Sequence, residues 1–194
     1  MFIGKIANSS SHIDYICQVY GAGEAAVLPQ PDDYGFGTFV GIEIADGGWL
    51  VGVIHNTMLL NPEFGNLGPR LSPQADLAVF SPDYLTEQVT VVAVLVLGSV
   101  DTQGRAHQGV PVVAARIGAR VRTLTREDVI AFHRAPGGLQ VAYVPLLTAL
   151  QTPLAPHLVE QILAALCALF PAEATRLNVL RNTVAWKSRV QPVG

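Results

Sequence analysis

The groups in this chain that could do chemistry are five histidines, two cysteines and a scatter of carboxylates. A zinc site usually has two ligands close in sequence, with others converging on them. His12, His55, His107, His133 and His157 offer no such pair, since no two lie within five residues. Cys17 and Cys167 have no neighbour of their kind, so a metal site would have to assemble from distant segments. A phosphate-binding loop needs glycines for backbone approach, a lysine for charge and a hydroxyl for magnesium. No G-x-x-x-x-G-K-[ST] run exists; Gly4-Lys5 lacks the upstream glycine and continues into Ile6. There is no G-x-S-x-G nucleophile elbow. The expectation is no ATP hydrolysis, no catalytic residue, no cofactor and no metal. His55 stands beside Asn56 and Thr57 at a strand end, and Asp32-Asp33 precedes Tyr34-Gly35-Phe36-Gly37. A rim residue and a solvated loop are the expected roles. The sharper alternatives are a carboxylate pair at Asp32-Asp33 and a ligand-binding mouth near His55 and Asp76.

The charged groups set a second question. Arg116, Arg120, Arg122 and Arg126 fall within one short stretch, and strand alternation puts Arg120 and Arg122 on one face. They are the candidate nucleic-acid contacts, weighed against an ordinary solvated face. A formal net charge of -3 argues against a chain whose main task is binding DNA backbone. Lys187 and Arg189 end the last helical segment, where the helix dipole alone favours them.

These residues need a scaffold, and the pattern predicts one that is mainly β with a helical C-terminus. Half the residues are hydrophobic and 14% are charged, which excludes a disordered chain. Residues 2–7 read as a strand. Residues 12–20 alternate, with Ile13, Tyr15, Cys17 and Val19 on one face, which means a half-buried strand. Residues 38–45 and 49–58 form two more strands, joined by Asp46-Gly47-Gly48, a strong hairpin signal. Asn61-Pro62 closes that unit, and Ser72-Pro73 and Ser81-Pro82 predict short helices or turns over 72–87. Val89 to Val100 is the most buried strand; its apolar run is about nine residues, against the roughly 20 that a membrane helix needs. Residues 101–118 read as a loop. Thr125 caps a short helix with Asp128 as its third residue, and 139–145 read as a strand. Beyond the Thr152-Pro153 and Ala155-Pro156 linker, 156–170 and 172–187 form an α-hairpin with a break at Pro171. Leu158, Ile162, Leu166 and Leu169 mark its apolar face. Two distant cysteines are expected to be free thiols in a reducing cytoplasm, and no signal peptide is expected.

The order of these segments resembles a known family. Phe2-Ile3-Gly4-Lys5-Ile6 leads through Asn8-Ser9-Ser10-Ser11 into a second strand. Gly41-Ile42-Glu43-Ile44, Leu50-Val51-Gly52-Val53-Ile54 and Leu60-Asn61-Pro62 follow. Val96-Leu97-Gly98, a proline segment and Ile117-Gly118-Ala119-Arg120-Val121 extend the match more loosely. This resembles the HAS barrel at the N-terminus of HerA-type DNA translocases, which is itself similar to the N-terminal barrel of ATP synthase subunits. The resemblance implies a small closed antiparallel β-barrel over 1–100, a β-rich extension with a short helix over 101–150, and the α-hairpin over 151–194. It implies an assembly or docking role. Such barrels form a crown on a hexameric ATPase ring and offer a docking face to a partner. No translocase motor follows here, so its activity and catalytic residues do not carry over.

The function expected is a non-catalytic module that self-associates, a ring being one form, or docks on a separately encoded HerA-type ATPase. DNA is met only indirectly or weakly, and no membrane is involved. A nucleic-acid accessory role through the arginines and a small-molecule site at the barrel mouth are the alternatives. Leu158, Ile162, Leu166 and Leu169 are candidate partner contacts if they do not pack on the barrel.

Overall fold

The structure is a computed structural model and describes residues 1–60 and 89–190. Asn61-Pro62, the helices or turns expected over 72–87, and Asp76 lie outside the described residues, as do the side chains of Lys187 and Arg189.

The β part comprises β1 (Phe2–Ser9), β2 (Asp14–Val19), β3 (Phe39–Glu43), β4 (Trp49–Leu60), β5 (Val89–Val100), β6 (Ala106–Gln108) and β7 (Arg120–Thr123), with a two-stranded ribbon of β8 (Arg134–Ala135) and β9 (Gly138–Leu139). Strands β2, β1, β7, β3, β4 and β5 are neighbours in that order, and β5 pairs back onto β2. Six antiparallel strands therefore close a barrel, which removes free edges. The closing seam runs from Asp14 opposite Leu95 to Gln18 opposite Val91. Register shifts between Phe2 and Gly4, Ile6 and Asn8, and Ile54 and Asn56 bend the strands around the corners.

Period-two alternation sorts the side chains into two cores. Ile3, Ile6, Tyr15, Cys17, Val40, Ile42, Leu50, Ile54, Val92, Val94, Val96 and Val121 fill the barrel interior. The residues between them on β3, β4 and β5 point outward: Phe39, Val51, Val53, Leu95 and Leu97. Those strands are apolar on both faces, so the outer wall needs a cover. Helices α1 (Arg126–His133), α2 (Val144–Thr148), α3 (Ala155–Leu169) and α4 (Ala174–Val190) are the α-helices of the described residues. Leu158, Val159, Ile162, Leu163 and Leu166 of α3, and Leu177 of α4, share the second core with that wall. Each such side chain stabilises by roughly 1.5–3 kcal/mol on burial.

The local signals read from the sequence mostly act as expected. Gly47 N–H donates to Ile44 O at 3.1 Å in the turn between β3 and β4. Thr125 Oγ1 accepts from Asp128 N–H at 3.2 Å while Asp128 Oδ2 accepts from Thr125 N–H at 3.0 Å, a complete capping box for α1. After Phe170 the chain makes a short 3-10 turn, Pro171–Glu173, and re-enters α4.

Three expectations need correction. The barrel is not complete at residue 100, because β7 sits between β1 and β3. The stretch 101–118 is not loop throughout: β6 adds to the C-terminal end of β5, Gly98 facing Gln108. The strand expected over 139–145 is instead the end of a two-residue ribbon followed by α2, which starts beside Pro145. Pro145 fixes its own φ and lacks an N–H, so it suits the first turn of a helix. No described helix is long and apolar enough to cross a membrane.

Candidate functional site

The connection from β6 to β7, Gly109 to Gly118, is an apolar loop held open to solvent. Its ends are tied to the barrel: Gly109 N–H donates to Leu97 O at 2.8 Å and Gly118 N–H to Ile6 O at 2.8 Å. Both glycines have positive φ, 119° and 81°, where a side chain would be strained. Between them, His12 Nε2 bonds Pro111 O at 2.8 Å. A carbonyl can only accept, so this nitrogen carries the proton. Ala115 N–H donates to Tyr15 Oη at 3.0 Å, and that hydroxyl donates to His12 O at 2.9 Å. Ala115 and Ala119 pack against the barrel core. Pro111 is buried, and the larger aliphatic side chains face outward: Val112 is 96% exposed, Ile117 80% and Val110 60%. Free valines would ordinarily collapse inward. Here four hydrogen bonds tie the loop backbone to the barrel, with Tyr15 itself anchored on His12 O, and these side chains stay exposed.

The four arginines do not converge. Arg120 makes a two-pronged pair with Glu43, at 2.8 and 2.7 Å, and lies over the Phe2 ring at 4.3 Å. Arg122 pairs with Asp128 at 2.6 Å and lies over Trp49 at 4.5 Å. The hydrogen bond from Arg122 holds the Asp128 carboxyl below its usual pKa. Arg120 and Arg122 do share a face, as alternation predicts, but each is answered by a carboxylate and an aromatic ring. Arg116 and Arg126 are exposed, on the loop and at the start of α1. No continuous basic surface forms from the set.

His55 sits at the bulge in β4, 3.1 Å from Asp14 Oδ1 across the barrel end. Burial pushes the Asp14 carboxyl up, but the hydrogen bond and charge of His55, with a bond from Ser10, outweigh it and hold its pKa below the usual value. Asp33 serves the 3-10 turn Pro31–Tyr34: its carboxylate accepts from Gln30 N–H at 2.7 Å and its carbonyl from Thr123 Oγ1 at 2.7 Å. The alternative of a carboxylate pair finds no support in that geometry.

Sequence reasoning missed one histidine. His133 is fully buried. Its Nδ1 donates to Val129 O at 2.7 Å, so Nε2 is the acceptor and takes the Tyr143 hydroxyl hydrogen at 2.7 Å. Phe39, Phe132, Tyr143 and Phe170 surround it edge-on. Burial lowers its pKa to about 4, against a smaller opposing effect of the Val129 bond, and burial also pushes the Tyr143 phenol up. Both ring nitrogens are occupied, which fits a joint between the barrel wall and helices better than a catalytic base. The i, i+4 relation of Val129 and His133, with Phe132 alongside, was the available signal. Among the described residues no three His, Cys, Asp or Glu side chains gather to hold a metal ion. Cys17 lies inside the barrel, where burial raises its thiol pKa to about 12. Cys167 is also free.

The candidate partner contacts Leu158, Ile162 and Leu166 are all but inaccessible, and Leu169 is partly buried beside them. The structure corrects that expectation: this face packs in the core it shares with the chain's own barrel wall. The outward apolar positions of β3, β4 and β5 are the reason.

A family model described as a domain of unknown function (DUF8166) matches residues 1–193, and the chain belongs to that family. No curated protein matches the chain significantly.

Proposed function

We propose that this chain is a non-catalytic assembly or docking module of the cytoplasm, a barrel that self-associates or seats on a separately encoded partner. A HerA-type DNA-processing ATPase is the candidate partner, on the resemblance of strand order. The observation that carries the reading is the loop from Gly109 to Gly118, a fixed backbone displaying Val110, Val112, Val113 and Ile117. A catalytic loop needs polar groups converging on a reacting atom, whereas this one presents aliphatic side chains on a rigid base. The free thiols fit a reducing compartment. The nucleic-acid reading loses its best residues to Glu43 and Asp128.

Solution molar mass by light scattering, for the chain alone and mixed with a purified HerA-type translocase, tests the proposal. A mass above the monomer alone, or co-elution in the mixture, is the expected result. A monomer that ignores the translocase contradicts it.

A further inference from the structure

The exposed loop is one side of a two-sided relief. Val112 and Val113 form its crest, and beside them lies an open groove of about 360 Å³. Val113 and Ile117 form apolar wall of that groove with Ala45, and Asp46 and Arg116 line it too. Crest and groove thus share a residue and a face. A two-fold contact between identical chains requires a patch that complements itself, with residue i meeting j and j meeting i. A crest flanked by a groove meets that condition, because each copy's valines enter the other's groove.

The charges point the same way. Asp46 and Arg116 are both exposed, and among the described residues neither forms a salt bridge. Opposite signs in one groove pair across a two-fold axis, Asp46 of each copy with Arg116 of the other. A polyanion would instead need a positive rim, and would meet Asp46 and Glu43 here. Self-repulsion is small at a net charge of -3. The exposed side chains of the loop present on the order of 400 Å² of apolar surface, in the range of functional patches. The groove shares Val113 and Ile117 with the loop and adds little to this, so the contact falls below the ~800 Å² per partner of a standard interface and belongs with small, weakly associating ones.

We infer that the crest of Val112 and Val113 and the adjoining groove are the seat of a two-fold contact with a second copy of this chain. The inference rests on the docking-module reading and names its partner. It is tested by sedimentation equilibrium on the full chain, Val112→Glu, Asp46→Arg, and the exchanged pair Asp46→Arg with Arg116→Asp. The expected pattern is a dimer in the parent, weakened about tenfold or more by each single change. The exchanged pair should recover most of the loss. All three variants change exposed residues, so their melting curves should match the parent's at concentrations where the parent is dissociated, which checks that folding is intact. A parent that is monomeric at every concentration overturns the inference, and the docking reading then stands or falls on the translocase mixture. A dimer indifferent to both Val112→Glu and Asp46→Arg also overturns it, while leaving self-association through another surface.

Discussion

Two apolar segments of this chain have opposite fates. The face of α3 is periodic, Leu158, Val159, Ile162, Leu163 and Leu166, and it disappears against the barrel wall. The run from Val110 to Ile117 has neither helical nor strand period, and its larger aliphatic side chains stay in solvent. Regular spacing lets many side chains meet one surface together, so burial of the α3 face is cooperative. The loop turns only Pro111 and the small Ala115 toward the barrel, with Ala119 just beyond it. Apolar content therefore says little about where a partner binds; what decides is whether the chain itself has a matching surface.

The comparison can be broken in graded steps. The largest effect belongs to Leu166→Asp, which places a charge in the core between α3 and the barrel wall. A loss of about 4 kcal/mol or more is expected in urea denaturation, enough to unfold a marginal domain. A soluble, folded product of unchanged stability would show that the face is not buried.

Next is acid. His133 has a folded pKa of about 4, below its ordinary 6.5, so the unfolded chain binds the proton first. Stability that is fully present above pH 6.5 is lost as pH falls toward 4, by roughly 3 kcal/mol from this group. Urea midpoints measured across that window should drop toward acid. In His133→Leu the slope should flatten, at the cost of an orphaned Tyr143 hydroxyl. A parent with a flat profile would show that the aromatic enclosure is open to protonation.

Gly4 tests the barrel side. A Cβ there would collide with the Gln18 carbonyl across the β1–β2 pair. Gly4→Val should cost roughly 1–3 kcal/mol, read as a lowered denaturation midpoint. Arg122→Ala removes the Asp128 pair and the contact over Trp49, both partly exposed. About 1 kcal/mol is expected. The smallest effect on folding belongs to Val112→Glu, within about 0.5 kcal/mol in dilute solution.

The barrel's strands were legible in the sequence wherever period two or an Asp-Gly-Gly turn spoke locally. Tyr15, Cys17 and Val19 fall on one face with Asp14 and Gln18 opposite, Ile16 alone breaking the polar side, and Thr125 with Asp128 spells a capping box. What stayed hidden was long-range. Nothing near Arg120 announces that a four-residue strand inserts between β1 and β3, closing the barrel from beyond the expected boundary. Residues 139–145 are rich enough in Val and Tyr to read as a strand, and tertiary packing of Tyr143 and Leu147 overrides that propensity. His133 looked like any other lone histidine, because its partners Phe39 and Phe170 are far away in sequence. The arginines were visible as a group, but Glu43, which answers Arg120, is 77 residues away. The Gly109–Gly118 segment was plain as a loop, yet its apolar side chains became informative only once His12 and Tyr15 were seen to hold it.

The contrast between the two segments is tested most directly by amide hydrogen exchange on the parent chain at low and high concentration. The expected result is protection that rises with concentration at Val112 to Ile117 and stays constant along Leu158 to Leu166. Exchange in the loop that is indifferent to concentration, or protection that moves instead along α3, would contradict the assignment of the loop as the contact surface.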